Sequence, residues 1–466
     1  MDIFGVFKQL GIQTVSSDFY SAIDGWKSWY DGEVKGFHRY TAHNGQSYVH
    51  CRRYTMGMAK KVAEDWADLL LNEKVVVTLE GAREQAWVDE AFRNNNFAVK
   101  ANEMQEIKSA LGTAAYVLRL EGAEANPETG RVIRGGNVKI DYVSAPHIYP
   151  ISWDNGIVRE CAFTSVKQTA TGQYLYLQIH RIGDSGTYVI TNKVFAIQNE
   201  NLKEIENIQE IPGFEAVQNS VETGSDKPQF VIDRLNIANN FDNSNPMGIP
   251  AFANAIDQLK GVDYAYDSYV NEFVLGKKRI VIQPGATKTL DGEPAFDPND
   301  LTFFVLPEDG GSDNLVKEID MTLRAQEHKT GIQDMLNALS SKCGLGENRY
   351  RFETGSVKTA TEVISENSPM FRTVRKHEII LENVLKELCR TILRIGNTAF
   401  GANLNEDVEI SVDFDDSIIV DKDTERARDR ADVAAGLMNA YEYRMKWYNE
   451  DEATAKSALP KMSEVL

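Results

Sequence analysis

From Thr359 to about Ala399 apolar residues recur at helical spacing through Val363, Met370, Phe371, Val374, Leu381, Val384, Leu385, Leu388, Ile392 and Ile395. At 1.5 Å rise per residue this predicts one helix on the order of 60 Å long, several times the average helix. Pro369 lies inside it and predicts a bend. A single domain rarely needs such a strut. An assembly that must hold a neighbouring loop in a fixed place does, so attention falls on the segment just before the helix.

That segment, Gly346 to Glu366, reads GENRYRFETGSVKTATEVISE. Its centre, TGSVKT, has the look of a phosphate-gripping loop. Such a loop needs Gly directly before the Lys, so that backbone can approach phosphate without a Cβ in the way. Here Val357 precedes Lys358, and the segment upstream has a helical pattern where a buried strand would be needed. The remaining reading is a mobile polar loop between two helices. It carries Arg349, Arg351 and Lys358 against Glu347 and Glu353, has Tyr350 and Phe352 as stacking surfaces, and has glycines at 344, 346 and 355. By composition alone it would be an ordinary surface connector; the strut behind it gives it a reason to be held in place.

Charge narrows the function further. Fifty basic residues against 69 acidic ones leave a net charge of -19 over 466 residues. A protein gripping nucleic acid over a broad surface is usually basic, so any meeting of this chain with DNA is mostly repulsive. The hydrophobic share of 42% suits a folded chain with a large core. No signal peptide is expected at the start, MDIFGVFKQLG, and no stretch approaches the roughly 18–20 apolar residues of a membrane span. Cys51, Cys161, Cys343 and Cys389 form no C-x-x-C pair and are expected as reduced thiols.

Along the chain the pattern changes several times. Residues 50–73 place Met58, Val62, Trp66, Leu69 and Leu70 at helical spacing. Strand and helix signals alternate from Val75 to about Leu120. Two-residue alternation from Val138 to about Ala196, broken at DNG and GDSG, predicts an antiparallel sheet. After the polar NNFDNSNPMGIP a helix is expected over 251–275, with Phe252, Ile256, Leu259, Val262, Tyr266, Tyr269 and Phe273 on one face and Gly276 as its stop. A second follows over about 322–341. Between them lies an insert, 277–320, in which two short apolar strands flank a loop rich in Pro, Gly and Asp. It holds nine acidic and five basic residues.

No catalytic constellation stands out. The carboxylates Asp413, Asp415, Asp416, Asp421 and Asp423 could suggest a cation site, but a strand end followed by a helix N-terminus, where Asp caps backbone N–H groups, is the stronger reading. His43 and His50 have no metal partners at ligand spacing, and neither G-x-S-x-G nor H-E-x-x-H occurs. No metal, cofactor or enzymatic activity is expected. A nuclease or packaging ATPase would need a Walker loop or carboxylates on adjacent strand ends.

The order of parts resembles the portal proteins of tailed double-stranded DNA bacteriophages, of the type found in siphophages of Gram-positive hosts. The resemblance rests on MAKKVAEDWADLLLNEKV, NPMGIPAFANAIDQLKGVDYAYDSYVNEF and TATEVISENSPMFRTVRKHE, and on the closing VDFDDSIIVDKDTERARDRADVAAGLMNAYEYRMKWYNEDEATAKSAL. It covers nearly the whole chain, and TATEVISENS is its most specific part. It implies an α+β portal fold and a cyclic, dodecameric ring. Residues 1–249 would be an α/β wing, 250–275 and 321–343 a two-helix stem, and 276–320 a small α/β clip. Residues 344–358 would be a tunnel loop, 359–420 the wing's long kinked helix and following strands, and 421–466 a helical crown. Arg349, Tyr350, Arg351 and Lys358 would contact DNA. Glu293, Asp297, Asp300, Glu308 and Asp309 would dock the terminase or an adaptor. The implied role is a channel at one capsid vertex for packaging and ejecting DNA. The implied partners are terminase, major capsid and scaffolding proteins, and a head-completion protein, with assembly in the host cytoplasm and residence in the virion. The competing structural reading is another head–tail connector or capsid-associated virion protein. An acidic wall suits a channel, because it offers phosphate no deep well and lets a duplex slide.

Overall fold

The computed structural model describes residues 2–72, 75–125, 132–134, 136–198, 201–276, 279–282, 303–305, 316–319, 322–352, 360–414, 422–448 and 450–459. Its spine is the helix Ala360–Phe400, 41 residues long, within a residue of the range its periodicity predicts. Met370, Val374, Leu381, Val384, Leu385, Leu388, Ile392 and Ile395 all lie in the core. The helix packs on the strand Phe230–Arg234 and the helices Met58–Leu70 and Ala82–Asn94. Beyond it the chain returns as the strand Ile410–Asp413, antiparallel to Val76–Leu79. Two segments more than 300 residues apart thus close one unit.

The alternating region forms two sheets rather than one. Ile148–Asp154, Ile157–Thr169, Gly172–Ile182, Tyr188–Gln198 and Asn201–Ile205 make an antiparallel meander, with Ser220–Glu222 added on Tyr188–Gln198. Asn155 (φ 48°) and Gly156 (φ 78°) supply the paired positive φ angles that a two-residue hairpin turn requires. Asn137–Ser144 instead pairs with Thr113–Glu121, which is flanked on its other side by Phe230–Arg234. The central strand of this three-stranded sheet is buried from Thr113 to Leu118, a continuous apolar run that period-two alternation does not describe.

The expected helix over 50–73 begins only at Met58. Tyr48–Arg52 is a strand paired with Arg39–His43, and Gly57, at φ +64°, separates the two elements. From Met58 the apolar face is as anticipated, with Val62, Trp66 and Leu70 fully enclosed.

Two antiparallel helices, Ile256–Leu275 and Ala325–Lys342, form a hairpin. Leu259 and Val262 of the first helix and Ile332, Leu336 and Leu339 of the second are buried in the same core. At the far end Arg324 forks onto Glu272, donating from Nε at 3.0 Å and from a terminal nitrogen at 2.9 Å. These hydrogen bonds hold the Glu272 carboxyl down to about 2. The segment before the hairpin is pinned to the start of the strand Thr113–Glu121 and the end of the helix before it. Gly248 N–H donates to Thr113 Oγ1 at 2.9 Å and Ala251 N–H to the Ser109 carbonyl at 3.0 Å. Gly112, at φ +89°, passes so close to Gly248 that a Cβ there would sit 2.4 Å from the Gly248 carbonyl oxygen.

Between the two helices the insert has three short strands where two were expected. Arg279–Ile282 is central, parallel to Phe303–Val305 and antiparallel to Val316–Ile319. The third strand, with Lys317 and Glu318 at its centre, lacks the apolar run that marks the other two. The chain closes with helices Lys422–Ala434, Ala440–Tyr448 and Glu452–Ser457.

Candidate functional site

The second hairpin helix ends at Lys342, and the next ten residues fold back on it. Gly344 (φ 80°), Gly346 (φ 78°) and Asn348 (φ 61°) provide the left-handed steps of this reversal. Ser340 Oγ donates to the Gly346 carbonyl at 2.6 Å, and Leu345 N–H donates to the Ser340 carbonyl at 3.0 Å. Gln333 then clamps the far side. Its amide donates to the Tyr350 carbonyl at 2.8 Å, and its side-chain oxygen accepts from Phe352 N–H at 2.7 Å. Leu345 is fully enclosed and the Phe352 ring stands edge-on to Tyr269, with centroids 5.7 Å apart.

The first half of the anticipated mobile loop is therefore a packed turn, and this corrects the sequence reading. Glycine and asparagine serve fixed positive-φ positions here, and two of the large side chains serve as anchors. Tyr350 is 9% exposed, so its ring is packed into the fold rather than presented as a stacking surface. Burial, reinforced by the Asp65 charge, pushes its phenol far above the ordinary range. Arg349 lies 3.5 Å from Asp65, a carboxylate with 6% of its side chain exposed that Lys61 also holds at 2.9 Å. Arg351 is exposed, with its Nε donating to the Asn348 carbonyl at 3.4 Å. Lys358 lies outside the described residues.

Beneath the turn sits Trp66. Its indole N–H donates to the Cys343 carbonyl at 3.2 Å, and its ring meets His377 of the long helix edge-on at 4.9 Å. Burial, with nearby Lys108 adding to it, lowers His377 to about 3. Its Nδ1 accepts from Asn236 N–H at 3.0 Å, as a neutral ring can. Gly344 fills the remaining gap, since a Cβ there would meet Thr373 Cγ2 at 2.9 Å. The helix Met58–Leu70, the end of the hairpin and the long helix thus converge on the root of the loop. Asp65, Trp66, Gln333, Ser340 and His377 do this work, and sequence reasoning assigned none of them to it. Only Trp66 carried a signal, as one apolar position of a helix.

A second buried ionic group lies nearby. Lys108 reaches Asp233 at 3.0 Å, and Gln105 donates to the same carboxylate at 2.7 Å while also hydrogen-bonding Lys108. Burial lowers the Lys108 amine, with Asp233 opposing the shift. The proposed docking carboxylates Glu293, Asp297, Asp300, Glu308 and Asp309 lie outside the described residues. Among the described residues no group of three or more His, Cys, Asp or Glu side chains is placed to hold a metal ion. No helix among them is long and apolar enough to cross a membrane. Asp413 ends a strand, and Asp423 lies in the first turn of the helix Lys422–Ala434. Cys161, Cys343 and Cys389 are buried free thiols and Cys51 is half-buried.

The family model described as "Phage portal protein, SPP1 Gp6-like" matches residues 12–438. The chain belongs to the phage portal protein family. Portal proteins are structural components of the virion rather than enzymes. The match stops before the last two helices. No curated protein matches the sequence. Two solved structures are similar at 11% identity. One is described as the virion of a native gene transfer agent particle (TM-score 0.46, covering 93% of this chain and 94% of that one). The other is described as the neck of such a particle computed with C12 symmetry (TM-score 0.42, covering 84% and 88%).

Proposed function

We propose that copies of this portal protein close into a twelve-membered ring at one capsid vertex, forming the tunnel through which double-stranded DNA is packaged and later ejected. The observation that carries this reading is the surface of the stem hairpin. Along its first helix Tyr264, Phe273, Val274 and Leu275, and Leu323 just before its second, are between 43% and 59% exposed, apolar area that one chain does not cover and a neighbouring copy would. The net charge of -19 suits a wall along which a duplex slides.

In this reading the tethered turn aims the residues from Arg351 to Lys358 at the tunnel axis. Arg351 and Lys358 brace DNA through sequence-blind phosphate contacts, while Arg349 and Tyr350 hold the turn in place. The clip, with Glu293, Asp297, Asp300, Glu308 and Asp309, docks a terminase that supplies the energy, and later a head-completion protein. Capsid and scaffolding proteins surround the ring, which assembles in the host cytoplasm and stays in the virion.

Native mass spectrometry and negative-stain images of the purified chain are expected to give closed rings with a central hole. A monomer across all salt and protein concentrations would overturn the proposal. Virions carrying Arg351→Ala with Lys358→Ala should form normal rings and retain packaged DNA poorly, whatever its base sequence. Full-length, stably held genomes would remove the loop from the DNA path.

A further inference from the structure

The ribbon Arg39–His43/Tyr48–Arg52 joins none of the larger sheets; its strands pair with each other in the register Arg39 with Arg52 and His43 with Tyr48. Two-stranded ribbons are marginal in water unless something covers a face. One face, made by Arg39, Thr41, His43, Tyr48, His50 and Arg52, is fully exposed, with Tyr48 at 77%. The other carries Tyr40, Ala42, Val49 and Cys51, each only half-buried. Arg39 directly opposes Arg52, a like-charge pair that Glu33 moderates from 2.8 Å and 3.7 Å.

Charge around the ribbon is one-sided. Between Glu33 and Glu64 the chain has six basic residues and no acidic one, which leaves the rest of the molecule at -25 for a total of -19. At the base of the ribbon Arg53 is 8% exposed and stacked among the rings of Phe37, Tyr40 and Tyr264, at 4.4, 4.8 and 4.3 Å. Its Nε is buried without a hydrogen-bond partner. Tyr264, on the first hairpin helix and 52% exposed, stands edge-on to Phe37 at 5.2 Å, so the base of the ribbon rests on that helix.

We infer that this ribbon docks on a second copy of the chain, its exposed face laying the Tyr48 ring against that copy and its cations meeting the copy's carboxylates. The inference rests on the ring reading above. A duplex would be a poorer occupant. Of the six basic residues the exposed ones are Lys35, Arg39, Arg52 and Lys61; Arg39 and Arg52 share Glu33, Lys61 is held by Asp65, and half of the ribbon is apolar. Phosphate binding relies on several unneutralised cations acting together, whereas a strongly acidic protein surface needs only a few, with apolar contact beside them.

The test uses the full chain with a photocrosslinking amino acid at position 48, where 77% exposure leaves the fold undisturbed. Irradiated rings should yield covalent chain dimers, with the crosslinked peptide mapping to a Glu- or Asp-bearing surface of the neighbour. In parallel Arg39→Glu with Arg52→Glu, shown to be folded by an unchanged melting profile, should raise the protein concentration needed for ring closure by about tenfold or more. Wild-type rings without a crosslink at position 48, together with a variant that closes as readily as wild type, would overturn the inference. So would loss of short-duplex binding by a variant whose rings are intact, which would make the ribbon a DNA contact. Failure of the wild-type chain to form rings would instead strike the ring reading itself, and this inference with it.

Discussion

Arg349→Ala tests whether the turn after the stem is a structural clasp or a free loop. Arg349 sits 3.5 Å from Asp65, whose side chain is only 6% exposed. Removing one partner of a fully buried ion pair costs about 3–5 kcal/mol, because the other charge is left without compensation. Two features reduce that figure. The Arg349 side chain is itself 33% exposed, and Lys61 still holds Asp65 from 2.9 Å. The expected loss is about 1–2 kcal/mol, between the exposed and buried limits. Arg351→Ala is the control. It removes an exposed guanidinium two residues away and should stay within about 0.5 kcal/mol of wild type. Denaturant unfolding of the purified chain supplies both values. A double-mutant cycle of Arg349→Ala with Asp65→Asn should return a coupling of at least about 0.5 kcal/mol. Hydrogen exchange over residues 344–352 should speed up in Arg349→Ala alone. Equal stability and equal exchange in the two arginine variants would refute the clasp, and with it the division between holding residues and DNA-facing residues.

Other substitutions probe the frame that carries the turn. Glu272→Gln removes the acceptor of Arg324 at the outer end of the stem. Because the folded carboxyl is held down to about 2, its contribution is present above the unfolded value near 4.3 and is lost as pH falls toward 2. The stability gap between variant and wild type should therefore be constant near neutrality and close between about pH 4 and pH 2 in acid titrations of unfolding. Gly112→Ala forces an L side chain into φ +89° and against the Gly248 carbonyl, so it should cost at least about 2 kcal/mol or prevent folding, as thermal melts would show. Lys108→Met leaves Asp233 buried with Gln105 but without its cation and should cost about 3–5 kcal/mol. Adding Asp233→Leu should restore much of that loss in the same unfolding assay. Calorimetry with ATP should detect no binding, in keeping with Val357 standing where a phosphate loop needs Gly.

Elements with a strong local period were legible. The long helix, the two stem helices and the antiparallel meander each repeat a pattern over ten or more residues, and they lie close to where that pattern places them. Elements defined by distant partners were not. Thr113–Leu118 is buried on both faces, so its apolar run shows no alternation. Val316–Ile319 is a strand because Arg279–Ile282 offers it an edge, a partner 37 residues away in sequence that its own residues, Val-Lys-Glu-Ile, do not announce. The last residues of the ribbon, 50–52, were absorbed into a helix that begins six residues later, since window-based periodicity blurs the boundary that Gly57 sets.

The candidate site shows the same division at the level of single residues. Composition identified a locally cationic loop with rings and glycines, and the structure gives its members different surroundings. Arg349 and Tyr350 turn inward because Asp65 and Trp66, on a helix almost 300 positions earlier, form the floor beneath them. Arg351 turns outward because Gln333 fixes the backbone on both sides of it, at the Tyr350 carbonyl and the Phe352 N–H. Neither setting is encoded within the loop. A cation next to a glycine looks the same in sequence whether it closes a turn or waits for phosphate, and only the buried carboxylate that it meets decides which. In the proposed channel a cation already held by a protein carboxylate, as Arg349 is by Asp65, would add little attraction for a passing duplex and would leave the acidic wall repulsive.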